Sequence, residues 1–355
     1  MIPLVVSSPG KLILVGEHAA VYGRPAVVAA LGARTRVRLE AGADPGVDLR
    51  LDDIGYQGSI SAAELVAYAR EAERRWLEFD RDPSPQSFRR VRGEDPAHLA
   101  KVALGEALAH AGSGGLSWRL SVCSELPVGS GFGSSAALAS ALILGVLEAL
   151  DAGSDLATLE RLVTEAERRQ HGHPSGIDAA VVLRGGVQSV QRRGDGLAVS
   201  AVAAGEILDR LRVVDTGAPA TSTGEVVAGV RRFAERSPRR FERAVDEIGA
   251  AAGELTAALE EGDGPRLGSA ITRAQRSLEL LGVVPAAVRD LVRRIEDRGG
   301  AAKVSGAGAS SGDRAGGVLV YHPRAEEVAT WDFLAAGSLV AAGLGAPPVC
   351  REESG

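Results

Sequence analysis

The sequence predicts a mixed protein of helices and strands, organised as two domains or as one large one. Its 355 residues exceed the usual size of a single domain, and an apolar content of 45% supports a sizeable core. The chain before residue 195 combines strand-like segments with helices, whereas four helical stretches follow one another after it. We therefore expect one domain in residues 1–195 and a second in residues 196–355.

The most informative stretch lies between a predicted strand and a predicted helix. Leu116 to Cys123 alternates apolar and polar residues, and Ala136 to Leu150 is a long apolar run without proline. A glycine-rich loop in front of a helix can hold a phosphate, because glycines allow close approach and the first helical N–H groups are unpaired. The residues expected to form this phosphate site are Pro127, Gly129, Ser130, Gly131, Gly133, Ser134 and Ser135.

Tight packing alone is the alternative interpretation of this loop, since glycine-rich turns also precede helices for that reason. The loop is not a Walker P-loop, because it lacks the Gly-Lys-Ser/Thr ending. It does not fit the dinucleotide fingerprint either, whose third glycine falls one place later.

The elements before this loop are predicted in a simple order. Polar, proline-containing Asp80–Gly93 is expected to be a loop, and Asp95 is expected to cap the helix that follows it. Lys11 follows Pro9-Gly10, where a turn and a solvated edge-strand charge are the simpler interpretation. The expected strands are Leu4–Ser7, Leu12–Val15, Val27–Leu39 and two within Asp48–Ile60, and the expected helices are Ser61–Phe79 and Asp95–Ala111.

A helix over Asp155–Gln170 carries Glu167 and leads into a segment that ends at Asp178. Glu167 could be a solvated helix carboxylate, and Asp178 could be the N-cap of a short helix. His171 and His173 suggest a metal site, but the adjacent glycine and proline and the lack of a third ligand argue against it.

The second half contains a further glycine-rich loop. It covers Ala302–Asp313 and precedes a strand over Val318–Tyr321, and its length and glycines argue against a plain hairpin turn. The other expected elements are strands at Gly185–Val190 and Leu211–Val214 and helices at Glu225–Ser237, Arg239–Glu261, Arg266–Leu281, Pro285–Arg298 and Ala325–Ala341.

Composition excludes several classes of protein. A formal charge of −6 and a pI near 5.7 argue against a nucleic-acid partner or an anionic membrane. The two isolated cysteines form neither a disulfide framework nor a zinc site, and no signal peptide or long apolar span is visible, so we expect a cytoplasmic protein. The only lysines in this arginine-rich chain are Lys11, Lys101 and Lys303, and two of them adjoin glycine-containing motifs.

Three motifs in one order resemble those of the GHMP kinases, a family of ATP-dependent small-molecule kinases. They are Pro9-Gly10-Lys11 with Gly16-Glu17-His18, then Pro127-x-Gly-x-Gly-x-Gly-Ser134-Ser135, then Lys303-x-Ser-Gly306-Ala-Gly308. The resemblance covers about residues 4 to 321. Within the family, the mevalonate kinase branch is the most similar, on the segments 16–23, 167–178 and 215–230.

The resemblance implies an α+β fold with a ribosomal S5 domain 2-like N-terminal domain that binds ATP and a ferredoxin-like C-terminal domain. It implies that Asp178 orients or deprotonates the acceptor hydroxyl and that Lys11 neutralises the transferred phosphoryl group. Ser135 and Glu167 would hold Mg²⁺, the loop at 129–135 would cradle ATP, and Gly306 with Gly308 would close the site beside the phosphates. The residues expected at the acceptor are Lys11, Glu17, His18, Asp178 and Thr223.

These roles are also chemically reasonable by themselves. Phosphoryl transfer needs charge neutralisation and in-line positioning more than covalent chemistry. Mg²⁺ takes one or two protein oxygens besides phosphate and water, which a carboxylate and a serine hydroxyl can supply. A lysine and an aspartate close together favour each other's charged forms.

Two departures bear on the acceptor. The third motif continues to Gly312-Asp313-Arg314, an ending similar to that of phosphomevalonate kinases, and Ala220 follows Pro219 where a basic residue is common. A phosphorylated acceptor would need extra basic residues, which Arg24 or Arg314 could supply.

We therefore expect a kinase of isoprenoid precursor synthesis that converts mevalonate to 5-phosphomevalonate. The alternatives are a kinase of phosphomevalonate or another small alcohol, and an inactive protein of this fold that binds a ligand. The expected partner is a small hydroxy acid, with no nucleic acid and no membrane, and a homodimer is left open.

Overall fold

The computed structural model of the protein describes residues 3–112, 115–127, 131–194, 196–334, 338–340 and 343–353. In this part of the chain the larger sheet has eight strands in the order β11-β1-β2-β5-β3-β4, with β6 pairing β2 and β7 pairing β6. Most neighbours are antiparallel, whereas β3 and β5 are parallel. The strands are β1 Leu4–Val15, β2 Ala26–Ala41, β3 Gly46–Leu51, β4 Tyr56–Ile60, β5 Ser117–Ser124, β6 Val187–Arg193, β7 Gly196–Ala201 and β11 Cys350–Arg351.

β1 is one strand and not two strands around a turn, so the expectation for residues 8–11 is wrong. Pairing with β2 continues across this segment, with a register shift between Pro9 and Gly10. A bulge accommodates the proline, which has no N–H to donate to the ladder, without ending the strand. The strand therefore carries Lys11 into the interior, where its side chain is 7% exposed.

A helical layer lies on this sheet. α4 packs on β1 and β2, α3 packs on α4, and α1 packs on α3. α4 is apolar on all sides because sheet and helices surround it, and eleven of its residues are buried. The helices of this half are α1 Ala62–Arg81, α2 Pro85–Arg92, α3 His98–Ala111, α4 Ser134–Leu150, α5 Leu156–His171 and α6 Ile177–Arg184.

α2 occupies part of the segment Asp80–Gly93, so the expectation of a loop there is wrong. Ser84 and Ser87 form a capping box, Pro85 stands in the first turn, and Gly93 ends the helix. Val91 is buried, so tertiary packing stabilises a helix of only eight residues. The expected cap of α3 is also displaced: its N-cap is Ala97, while the Asp95 carboxylate accepts from the Ala97 N–H at 2.8 Å.

A smaller antiparallel sheet has the order β8-β10-β9, formed by Leu211–Asp215, Gly317–Tyr321 and Ala301–Val304. Its helices are α7 Thr223–Arg236, α8 Pro238–Glu261, α9 Gly264–Leu281 and α10 Ala286–Asp297, close to the expected ranges. α9 and α10 pack on β9, and α8 packs on α9.

The two parts are not separated cleanly in space. One hydrophobic cluster contains Leu12 and Leu14 of β1 together with Ile248 of α8 and Val318 of β10. β7 pairs with β6 in the larger sheet, and β11, near the end of the chain, pairs with β1. The division at residue 195 stays a prediction.

The helix expected over Ala325–Ala341 is wrong in its described part. A short 3-10 helix spans Ala325–Thr330, and residues 338–340 lie along β8. The Asp215 N–H donates to the Ser338 carbonyl at 2.7 Å, and the Val340 N–H donates to the Val213 carbonyl at 2.9 Å. Backbone groups of residues 338–340 thus form hydrogen bonds with the free edge of β8, and not with one another as in a helix.

Among the described residues, no helix is both long enough and apolar enough to cross a membrane.

Candidate active site

Lys11 and Asp178 meet although they are far apart in sequence. The Lys11 Nζ lies 3.2 Å from Asp178 Oδ1, and the two side chains are 7% and 31% exposed. β1 places Lys11, whose backbone N–H donates to the Phe132 carbonyl at 2.9 Å. Asp178 stands in the first turn of α6 and is not its cap, because Gly176 occupies that position. A partly open ion pair at a helix start can receive a polar substrate.

The glycine-rich loop packs directly against Lys11. A β-carbon on Gly133 would lie 2.6 Å from Lys11 Cγ, and Gly133 has a φ of 73° that favours glycine. Gly133 caps α4 without a side-chain hydrogen bond, so Ser134 and Ser135 begin a helix whose first N–H groups have no side-chain cap. Gly131, with a φ of 83°, is exposed, whereas Gly129 and Ser130 lie outside the described residues. The preceding Pro127 is half-buried at the end of the segment 115–127.

Glu167 lies on the other side of this helix start, in α5. Its side chain is 5% exposed, and its Oε1 has no hydrogen-bond partner. Burial and the negative charge of Asp178 raise the pKa of Glu167 to about 8, while a hydrogen bond with Ser135 and the charge of Lys11 oppose the rise. A bound cation would favour the ionised form.

The side chains of Glu167 and Ser135 have the chemistry that suits a magnesium ion. A buried carboxylate oxygen without a partner and a neighbouring hydroxyl are hard oxygen donors, the kind Mg²⁺ prefers. Within the described ranges, no group of three or more His, Cys, Asp or Glu side chains could hold a metal. The two residues would therefore need phosphate oxygens and water to complete the coordination.

His171 also belongs to this cluster, a placement that is not expected from the sequence. Its Nε2 lies 3.0 Å from Ser135 Oγ and 3.9 Å from Glu167 Oε2, and its side chain is 48% exposed. The spacing of four residues from Glu167 on one helix was a usable signal, because such residues share a face. His173 points elsewhere, with its ring centroid 5.2 Å from that of Phe79.

Glu17 and His18 form a buried corner after β1. Glu17 pairs with Lys303 of β9, and both side chains are almost fully buried. The His18 Nε2 lies 3.0 Å from the Ala307 carbonyl oxygen, and burial lowers the pKa of His18. Thr223 is exposed at the start of α7, and no side-chain hydrogen bond in the described chain joins it to this corner or to Lys11.

The second glycine-rich loop is shaped by close backbone contacts. A β-carbon on Gly308 would lie 2.2 Å from the Val283 carbonyl oxygen, so only glycine fits there. Gly306 has a φ of 90° with open space around it. The loop reaches the segment before α7, where the Ser310 N–H donates to Thr221 Oγ1 at 3.2 Å.

The two arginines considered for a phosphorylated acceptor differ in their surroundings. Arg24 forms ion pairs with Glu242 at 3.1 Å and Asp246 at 2.7 Å on α8. The Arg314 side chain is 60% exposed and lies across Gly217, whose added β-carbon would be 3.0 Å from Arg314 Cδ.

Comparisons with known proteins identify the family of the chain. The family model for the GHMP kinases N terminal domain matches residues 98–186, and the model for the GHMP kinases C terminal domain matches residues 255–312. The chain is 31% identical over 342 residues to the mevalonate kinase of Homo sapiens, covering 86% of this chain and 83% of that protein.

Solved structures share the fold over nearly the whole chain. A crystal structure of mevalonate kinase aligns with a TM-score of 0.75 and 17% identity, covering 98% of each chain. The structure of L. major mevalonate kinase in complex with R-mevalonate aligns with a TM-score of 0.70 and 21% identity, covering 96% of this chain and 95% of that one.

Fold and relatives define an enzyme that transfers a phosphoryl group from ATP to an alcohol. The chain belongs to the GHMP kinase family, in the two-domain fold that the motifs implied.

Proposed function

We propose that this enzyme is a mevalonate kinase, which transfers the γ-phosphoryl group of ATP to the hydroxyl of mevalonate and releases 5-phosphomevalonate and ADP. The observation that carries the proposal is the Lys11–Asp178 pair at 3.2 Å beside the glycine-rich start of α4. The similarity to curated mevalonate kinases over most of the chain supports the choice of acceptor.

The chemistry follows from the positions of these groups. The Asp178 carboxylate accepts the proton of the acceptor hydroxyl as its oxygen attacks phosphorus, and the bond to the ADP oxygen breaks. Lys11 supplies positive charge to the transferred phosphoryl group and, at 3.2 Å, holds the Asp178 carboxylate beside it. The uncapped N–H groups of α4 and its dipole stabilise the phosphates of ATP.

Glu167 and Ser135 are the residues that would hold Mg²⁺. When bound, the ion would neutralise charge on the phosphates of ATP. Two observations on Glu167 support a cation here: its Oε1 has no hydrogen-bond partner, and its pKa is raised. A cation would give this oxygen a partner and would favour the ionised carboxylate.

The basic residues favour an acceptor without its own phosphate. A phosphorylated acceptor brings about two more negative charges, which convergent Arg or Lys side chains normally neutralise. Arg24 already forms ion pairs with two carboxylates on α8. Because these carboxylates balance its positive charge, it is poorly suited to neutralise the phosphate of an acceptor.

Phosphomevalonate is the second candidate acceptor, and Arg314 is the observation that favours it. This exposed arginine lies against Gly217 in the loop that resembles the substrate-side loop of the family. An Arg314→Ala variant would lose turnover of phosphomevalonate selectively if this arginine bound the acceptor phosphate.

The test is an ADP-release assay across mevalonate, phosphomevalonate, homoserine and galactose at saturating Mg-ATP. We expect clear saturation with mevalonate and weak or absent turnover of phosphomevalonate. A higher kcat/KM for phosphomevalonate would overturn the proposed acceptor. Absence of ADP release with every alcohol would favour the inactive binding protein.

A further inference from the structure

Two segments from distant parts of the chain meet beside the candidate active site. The first, residues 13–18, ends β1 and forms the turn after it, and the second, residues 303–307, ends β9 and begins the second glycine-rich loop. Three polar contacts join them: the Lys303–Glu17 ion pair, the Ser305 hydroxyl donating to the Ile13 carbonyl at 2.9 Å, and the His18 Nε2 at 3.0 Å from the Ala307 carbonyl oxygen.

The ion pair is costly where it lies. The Lys303 and Glu17 side chains are 0% and 1% exposed, and Glu17 Oε2 has no hydrogen-bond partner. Two apolar side chains of similar volume would fill this space without the cost of removing two charges from water. Stability alone therefore does not explain the ion pair. The fixed length and direction of the ion pair can instead hold residues 13–18 in a set position against residues 303–307.

The segment it holds is strained. His18 has a φ of 59° and a ψ of −45°, and the Ala19 N–H donates to the Glu17 carbonyl at 2.7 Å, a tight turn of positive φ that costs a residue with a β-carbon about 1–3 kcal/mol. A 3-10 helix over Ala19–Tyr22 follows directly. Such a turn persists only when its surroundings fix it, and the ion pair at Glu17 fixes the residue immediately before it.

We propose that Lys303 is a positioning residue for the alcohol acceptor. Through Glu17 it holds the His18 turn against the loop at Gly306–Gly308, and so sets the distance between the acceptor side and the phosphate side of the site. The inference rests on the proposed function in one respect, that the acceptor lies beside His18.

The experiment compares Lys303→Met with the wild-type enzyme, measuring the KM of the acceptor and the KM of ATP separately. We expect the acceptor KM to rise about tenfold or more, with the ATP KM changed less than about twofold, because small misplacements of a positioning group are costly. Equal increases in both values, or no change in the acceptor KM, would overturn the inference.

A matched control separates positioning from general loss of stability. Leu278→Ala truncates a fully buried side chain of α9 in the same core and should cost about 2–5 kcal/mol. We expect it to lower stability and leave the acceptor KM unchanged. If Lys303→Met does not fold, the double variant Glu17→Gln with Lys303→Met, which leaves no unpaired buried charge, is measured in the same way.

Hydrogen exchange gives a readout that needs no acceptor. In Lys303→Met, or in the double variant, the backbone N–H groups of residues 19–23 should exchange at least about tenfold faster than in Leu278→Ala. Unchanged exchange would refute the positioning role. If the wild-type enzyme does not phosphorylate mevalonate, the proposed function fails while the exchange result still decides the role of Lys303.

Discussion

Replacing Glu167 with glutamine should make the stability of the enzyme without ligands much less dependent on pH. Glu167 is 4% exposed, and burial with the charge of Asp178 raises its pKa to about 8. The unfolded chain loses this proton near pH 4.5, whereas the folded protein keeps it until about pH 8. The contribution of Glu167 to stability is therefore fully present below pH 4.5 and is lost as pH rises towards 8.

The difference between these pKa values sets the magnitude. At 1.36 kcal/mol for each pKa unit, folding loses about 3 kcal/mol by pH 7 and up to about 5 kcal/mol by pH 9. The glutamine side chain cannot ionise and keeps a polar group that can bond to Ser135, so the variant avoids this loss. We expect Glu167→Gln to match the wild type near pH 4.5 and to exceed its free energy of unfolding by these amounts at higher pH.

The assay is urea denaturation of both proteins at pH 4.5, 7 and 9 without nucleotide or divalent cation. Glu235→Gln, an exposed change on α7, serves as the control and should show no such trend. A stability difference that does not vary with pH would refute a raised pKa. The same variant should be the poorer enzyme. With Mg-ATP present, Glu167→Gln should lose turnover by about a hundredfold or more, because the candidate metal ligand is gone.

Three further substitutions test the rest of the site. Asp178→Asn should fold normally, and its turnover should fall about 10²–10⁴-fold because the amide cannot accept the hydroxyl proton. If the purified variant keeps more than about a tenth of the wild-type rate, Asp178 has no catalytic role. Lys11→Arg should be nearly as damaging in kcat as Lys11→Ala, and near-native turnover would show that only a diffuse positive field is needed. Gly133→Ala should lower turnover about tenfold or more, since its β-carbon would meet Lys11 Cγ at 2.6 Å. Its control is Gly131→Ala, which also has a positive φ but meets nothing within 4 Å, and equal effects of the two would mean that backbone strain alone matters.

Elements with a clear local period were predictable from the sequence. α4, α8 and β5 follow their hydrophobic patterns closely, because each is buried on the side that the pattern selects. α2 was missed because its stability depends on a serine capping box and one buried valine, within a segment that is polar overall. The segment after Thr330 was mistaken for a helix because the free edge of β8 is invisible in the sequence.

The sequence predicts the residues of the candidate site but not the contacts between them. Motif resemblance selected Lys11, Asp178, Glu167 and Ser135, yet no periodicity connects a strand at one end of the chain with a helix start 167 residues later. The contact between His171 and Ser135 and the pairing of Lys303 with Glu17 depend on how separate elements pack. Local sequence carries no record of such packing, so only the structure reveals them.

The lysines of the chain explain why a guanidinium should fail at position 11. Each pairs with one carboxylate in a confined place: the exposed fractions are 7% for Lys11, 16% for Lys101 and 0% for Lys303. An ammonium is compact and can turn its three donors towards whatever acceptors are present, whereas a guanidinium presents five N–H groups in a fixed plane.

Arg169 shows one arrangement in which this chain buries a guanidinium. Its side chain is 2% exposed and is surrounded by carboxylates of Glu165, Glu106 and Glu73, and its Nε still has no partner. Lys11 has one carboxylate partner, Asp178, and Gly133 closes the space beside its aliphatic chain. An arginine there would hold donors that nothing satisfies until ATP binds, and its larger head would displace the phosphoryl group it should stabilise. The damage expected from Lys11→Arg is therefore a loss of geometry at constant charge, and it should appear in kcat even at saturating ATP.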